Sequence, residues 1–564
     1  MTSRYLRILA SLTLGFRRFP FVVLAAIGAT LLSILVNHHT HPSSFCDECE
    51  RVILALILGY PLFTAASLCR ELHPRSRWTA PLLSVFFVAA LWYSLPLNME
   101  LGVVWCRYWM LFLTSVALLS LMPGTKAQGS ANCWRMNVSL MNAIVLSGIM
   151  TGIVLGGLEL ACYSVEKLFA LKLEKTFEDI FFFSGLLLFP LSVICLLPPA
   201  EAEADPSQPG FSVWGNLCKW ALLPLGFLFI LILGAYAVQI VIQWKLPNGL
   251  VATPVLALGA YGTAAMLLLQ PWKESHSWAR WFARIYPLAF LLCSILLFIS
   301  LEKRISSYGI TFERYFALVS GIWFFISAFC FLLRLRNASV LVPFVLAIMA
   351  LIAALGPLST GNVSLRSQSA RLRFFLAQPI QEQKKSAGEI SSIMRLFAEN
   401  YGVEVVERFT GPLNLTKDTR SWDISTKALE KLGLNGIEEN GVERISFNWT
   451  PGKSISIEGS RTLFVPDNYG NNQILLGKNA AGDELKIVVF GDQLKGCVGS
   501  KDVVKVDLKS IVLPDSGKPE EFPTIPMQLE KRNFSLLILS GELKKNTSGK
   551  QTLSAINRFL VLEK

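Results

Sequence analysis

Three of the chain's five histidines and its one close cysteine pair share a single short stretch, Asn37-His38-His39-Thr40-His41 followed by Cys46-Asp47-Glu48-Cys49-Glu50. Imidazole and thiolate are good zinc and copper ligands, and two cysteines at this spacing can chelate one ion. His38, His39, His41, Cys46 and Cys49 are therefore candidate ligands for zinc or copper, with flanking carboxylates adding negative charge. The plainer alternative is a polar loop whose cysteine pair is idle or oxidised to a disulfide. The remaining cysteines are scattered. Cys69, Cys106, Cys162, Cys195, Cys293 and Cys330 all lie in apolar segments, where a thiol behaves as a small buried apolar group.

Glu159 is the acid placed nearest to an ion or substrate path, because it interrupts an apolar run, with Glu166 two turns further along the same face. A carboxylate within a bilayer is costly unless paired or wet, and Arg107 is its candidate partner. The alternative is a side chain reaching headgroup water. Gln239 and Gln243 read as links between helices, and the basic loop Lys303–Arg314 reads as a solvated face or a headgroup contact. Pro190, Pro224 and Pro287 break apolar segments and could open backbone groups to a cavity.

From residue 361 onward there is no histidine. That rules out Ser-His-Asp and Cys-His catalysis within this region, and any imidazole metal site built from it alone. It holds no Gly-x-Ser-x-Gly elbow, and Ser548-Gly549-Lys550 lacks the upstream glycine of a phosphate-binding loop. A binding or scaffolding module is the simplest reading.

The elements that must position these residues are long apolar stretches. About 20 apolar residues cross the hydrocarbon of a bilayer. Eleven stretches qualify, at Pro20–Val36, Val52–Leu68, Ala80–Leu97, Val104–Met122, Leu140–Cys162, Ile180–Leu197, Trp220–Trp244, Val251–Leu269, Ile285–Leu301, Tyr315–Leu333 and Val340–Leu358. The expected architecture is a polytopic α-helical membrane bundle of about 11 transmembrane helices followed by a soluble α+β domain. Residues 1–19 form a cytoplasmic amphipathic N-terminus with Tyr5, Leu9, Leu12 and Phe16 at helical spacing, 20–360 the bundle, and 361–564 the soluble domain.

The net charge is +12, yet residues 361–564 carry 28 Lys/Arg against 24 Asp/Glu, so the basic excess belongs mainly to the loops of the bundle. It therefore reads as a topology signal and gives no nucleic-acid surface. With the N-terminus in the cytoplasm, about 15 positive charges fall inside against about 8 outside. An odd number of spans then sends the C-terminal domain to the far side, which in a bacterium is the periplasm. That domain opens with a helix bearing Leu365, Leu372 and Phe375. Further helices are expected near Glu389–Glu399 and Thr426–Leu434. Alternating segments follow, among them Arg444–Thr450 and Lys453–Glu458 around Pro451-Gly452, then Leu485–Phe490 and Phe534–Leu539.

Several short motifs stand out along the bundle: Arg18-Phe19-Pro20, Tyr236 with Leu246-Pro247-Asn248-Gly249, Tyr308-Gly309-Ile310-Thr311 with Arg314-Tyr315, Gly356-Pro357, and Ser364-x-x-Ser367-Gln368-x-x-Arg371-Leu372. In these the chain resembles the bacterial membrane-protein family of domain of unknown function 4153, over roughly its first 400 residues. The resemblance implies a multi-pass bacterial membrane protein with a C-terminal soluble domain. It brings no activity, substrate or catalytic residue.

The expected function is that of a non-enzymatic inner-membrane anchor or scaffold. Its partners are the lipid bilayer and a periplasmic or membrane protein bound by the C-terminal domain. A secondary transporter or channel using Glu159, and an envelope enzyme acting on a lipid-linked substrate through Asp47 and Glu48, are the alternatives.

Overall fold

The computed structural model describes residues 15–434 apart from 40–43, 97–100, 126–128, 170–171, 200–208, 244–251, 274, 336 and 416–418; past 434 it describes the backbone of eleven strands. The expected amphipathic helix in residues 1–14, His41, Pro247, Gly249 and the segment Lys453–Glu458 lie outside the described residues. The chain divides into two compact units, Met1–Ser369 and Ala370–Lys564.

Among the described residues the first unit is built of helices, with no strand. In chain order it holds α1 (Pro20–His38), α2 (Ser44–Leu72), α3 (Thr79–Ser94), α4 (Gly102–Leu121), α5 (Gly129–Phe169) and α6 (Glu174–Leu196). Then come α7 (Val213–Gln239), α8 (Ala252–Leu268), α9 (Ser277–Tyr308), α10 (Phe312–Leu332) and α11 (Ala338–Ala354). Long apolar runs become helices because lipid offers no partner to a backbone N–H or C=O, and a helix pairs both within one segment.

Among the described residues eight helices are long and apolar enough to cross a membrane, against the eleven expected. The other three apolar helices are α3, α8 and α11, of 16, 17 and 17 residues. At about 1.5 Å per residue they reach some 25 Å. The apolar run at Ala80–Leu97 outlasts its helix, since Leu95 is already extended (φ −75°, ψ 129°). Counting apolar residues therefore overstates helix length wherever the chain turns before the run ends.

Among the described residues two large apolar cores hold this unit together, with two small clusters beside them, Ala117, Leu121 and Ala347 in one and Trp134 and Val138 in the other. One large core gathers Phe19, Val22, Leu58, Leu111, Met136 and Ile194, from α1, α2, α4, α5, α6 and the residue before α1. The other large core gathers Leu258, Phe282, Tyr286, Phe290 and Phe331 from α8, α9 and α10. Lipid gives helices no hydrophobic drive to associate, so close packing has to do it. Gly259 and Gly262 on α8 supply the closeness: a Cβ at Gly259 would stand 2.6 Å from the Phe324 ring, and one at Gly262 would land on the Tyr286 ring. Tyr286 stacks on Phe282 with ring centres 5.5 Å apart and donates its hydroxyl to Gly259 O at 3.2 Å.

Among the described residues two helices carry π turns, each ending two residues before a proline. In α6 the turn is Phe183–Leu188, ahead of Pro190; the other is Cys218–Leu222, ahead of Pro224. Proline has no N–H to give back to the helix. At the first turn a tyrosine from another helix fills in: Tyr60 donates at 3.0 Å to Leu186 O, the carbonyl four residues before Pro190; at the second, Tyr261 from α8 donates to Leu222 O, two residues before Pro224.

The helix α12 (Thr360–Leu376) starts in the first unit and ends in the second. The second unit continues with α13 (Ile380–Lys385), α14 (Ala387–Tyr401), α15 (Val403–Thr410) and α16 (Ser421–Lys431). Leu372, Ile390, Met394, Phe397, Val406 and Ala428 are buried in it, and Phe397 stacks on Phe409 at 5.7 Å. The strands pair antiparallel throughout. The 14-residue β10 (Arg532–Lys545) lies between β2 (Val442–Asn448) and β11 (Gln551–Glu563) in a seven-stranded sheet. A second sheet is a meander of β4 (Gln473–Lys478), β5 (Glu484–Phe490), β6 (Gln493–Val498) and β7 (Lys501–Asp507).

Candidate functional site

The motifs around residues 308–315 and 364–368 converge on one knot of hydrogen bonds. α9 stops at Tyr308 because Gly309 takes φ +69° and ψ −178°, a conformation open in practice only to glycine. The chain then passes through Ile310 to Thr311, the extended N-cap of α10 (φ −104°, ψ 172°). The reversal strips carbonyls of helical partners, and side chains take them over. Arg314 donates to Tyr308 O at 3.1 Å and to Gly309 O at 2.7 Å, with its guanidinium 5.4 Å from the centre of the Tyr308 ring. Gln368, from α12, donates to Tyr308 O at 3.1 Å and Ile310 O at 3.2 Å, while Ser367 accepts the Ile310 N–H at 2.8 Å. Tyr315 donates to Leu358 O at 2.6 Å, just after the Gly356 turn (φ +77°). The whole set fastens the start of α12 to the α9–α10 turn.

A second knot forms around Arg18. Its guanidinium meets both oxygens of Glu71, at 2.9 and 3.1 Å, and donates to Leu197 O at 2.9 Å and Pro198 O at 3.1 Å. Arg70 donates to Arg18 O at 2.9 Å. Pro20 stands at the first position of α1, where its missing N–H costs nothing. One planar fork thus joins the start of α1, the end of α2 and the end of α6, a geometry a lysine cannot reproduce.

The remaining candidates are placed as follows. His38 binds Asp179 at 2.7 Å, and Asn37 donates to Asp179 at 2.9 Å and to Lys175 O at 3.0 Å, which closes α1 onto α6. Cys46 and Cys49 sit in the first turns of α2, each as a thiol, with Cys49 buried. His39 packs its ring 6.1 Å from Phe45. Among the described residues no three His, Cys, Asp or Glu side chains come together. Glu159 and Arg107 are both half-buried, on α5 and α4, and no ion pair among the described residues joins them. In the second unit Arg371 pairs with Glu389 and lies over Phe375.

Glu71 and Asp179 were missed in the sequence. The available signal was that each is an acid at the end of an apolar run. Chemically, the motif residues Arg18, Arg314, Ser367 and Gln368 spend their polar groups on backbone atoms and on one carboxylate. Such an arrangement holds helix ends in place.

A family model described as "Domain of unknown function (DUF4153)" matches residues 26–376. No curated protein and no solved structure matches the chain.

Proposed function

The chain belongs to the DUF4153 family, and on that premise we propose that it is a multi-pass anchor of the bacterial inner membrane. Its C-terminal α+β domain stands in the periplasm and binds a protein partner in the envelope. In this reading all eleven apolar helices span, the three short ones by local thinning of the bilayer or by sitting against longer neighbours. The N-terminus is cytoplasmic, as the basic loops favour.

One observation carries the scaffold role. The side chains that distinguish the bundle end in the knot of Arg314, Ser367 and Gln368, whose bonds go to the backbone of the α9–α10 turn. Those bonds fasten the very helix that leads from the bundle into the C-terminal unit. The absence of histidine from residue 361 onward supports a binding role in place of hydrolytic or metal chemistry there.

Alkaline phosphatase fused after Lys564 is expected to be active; an inactive fusion that is stable in the membrane would sink the assignment of sidedness. A photo-crosslinking amino acid at Trp422, exposed on α16, should yield one discrete protein adduct in living cells, and the same probe at lipid-facing Ile153 should not. Adducts of equal pattern from both sites would remove the scaffold role.

A further inference from the structure

Between the two large apolar cores of the bundle, beside the small cluster of Trp134 and Val138, lies a partly open cavity of about 240 Å³. The first half of the bundle lines it with Ser120 from α4 and Trp134, Asn137 and Met141 from α5. The second half lines it with Ala264 and Leu267 from α8, and with Ser339 and Pro343 from α11. None of its lining residues is charged.

We propose that this cavity holds the end of one acyl chain of a membrane phospholipid. The inference rests on the membrane placement of the helices and is independent of the scaffold role. Apolar cavities stay dry, and one of about 150 Å³ already takes benzene. Pockets for drug-sized ligands begin at about 300 Å³. The volume therefore suits a short run of hydrocarbon, too small for a headgroup or a whole solute. The same helices turn apolar side chains to the bilayer, such as Phe344 beside Pro343 and Ile144 beyond Met141, so hydrocarbon is the medium at its mouth. Seams between packed halves are where ligand cavities tend to occur.

Polar groups stand beside this apolar space. Trp134 donates to Leu268 O at 3.2 Å and meets Trp272 edge-on at 5.9 Å, while Trp214 donates to Asn142 at 2.6 Å. Pro343 leaves Ser339 O without its usual partner four residues on, and the Cys133 thiol donates to it at 3.7 Å. The Ser339 hydroxyl is buried with no partner among the described residues. A chain end entering from the hydrocarbon side fills the apolar space without having to satisfy these groups.

The test uses the full chain in nanodiscs containing a phosphatidylethanolamine with a diazirine at the end of one acyl chain. After irradiation, label should concentrate on Met141 and Leu267. Ala264→Phe, which fills the cavity, should lower that label by about tenfold while lipid-facing Ile153 keeps its own. Ala264→Leu serves the same purpose should the phenylalanine variant not fold. Equal labelling of wild type and the filled variant would overturn the proposal. So would loss of the label to a small excess of free palmitate, which would assign the site to a free fatty acid.

Discussion

The hydroxyl of Tyr60 lies 3.0 Å from the carbonyl of Leu186, the carbonyl that Pro190, four residues on, has no N–H to satisfy. The two residues are 126 positions apart, yet a break in one helix is closed by a side chain from another. Tyr60→Phe should lower stability by about 1 kcal/mol, the usual net worth of one hydrogen bond. In a Pro190→Ala background, where residue 190 regains its N–H, the same change should cost measurably less. Thermal unfolding of the four proteins in one detergent checks this; strictly additive losses would show that Tyr60 and the proline break are unrelated.

Gln368 serves two carbonyls of one turn from 60 and 58 positions away. Gln368→Glu turns a donor into a carboxylate facing Tyr308 O and Ile310 O. It should destabilise more than Gln368→Ala, with each losing about 1–3 kcal/mol. A melting series in which the glutamate variant matches wild type would contradict the geometry.

Arg18 and Glu71 form a two-pronged pair with side chains 19% and 25% exposed, sheltered enough for the bond to matter. Arg18→Lys should behave nearly as badly as Arg18→Ala, because an ammonium cannot serve Glu71, Leu197 O and Pro198 O together. A double-mutant cycle with Glu71→Gln should return a coupling of about 1–3 kcal/mol. A lysine variant as stable as wild type would mean the fork geometry is unimportant.

Gly262 and Gly148 look alike in sequence and differ in the fold. Gly262→Ala drives a methyl into the Tyr286 ring and should cost about 1–3 kcal/mol. At Gly148 nothing lies within 4 Å of an added Cβ, and Gly148→Ala should stay within about 0.5 kcal/mol. Comparing the two melting temperatures tests the close approach of α8 and α9 directly.

The helical bundle was legible because apolar runs in lipid have one low-energy answer. So was the burial of Leu372 and Phe375, since a 3.6-residue period places them on one face. The helix Val403–Thr410 escaped notice: its 8 residues follow Gly402 at φ +79° and hold three valines, and the alternation Val403-Glu404-Val405 of β-branched residues reads as readily as a strand. The motif residues 308–315 and 364–368 were visible as motifs, but nothing in them revealed that they meet.

The sequence by itself determined which segments are helical and greasy, because each helix satisfies its own backbone and composition sorts it from water. Only the tertiary structure decided which acid takes Arg18, which tyrosine repairs the break at Pro190, and where the two cores leave a cavity between them. The reason is physical. Partition into lipid depends on composition along one segment, whereas a freed carbonyl is paired by whichever donor close packing carries to it from a distant part of the chain.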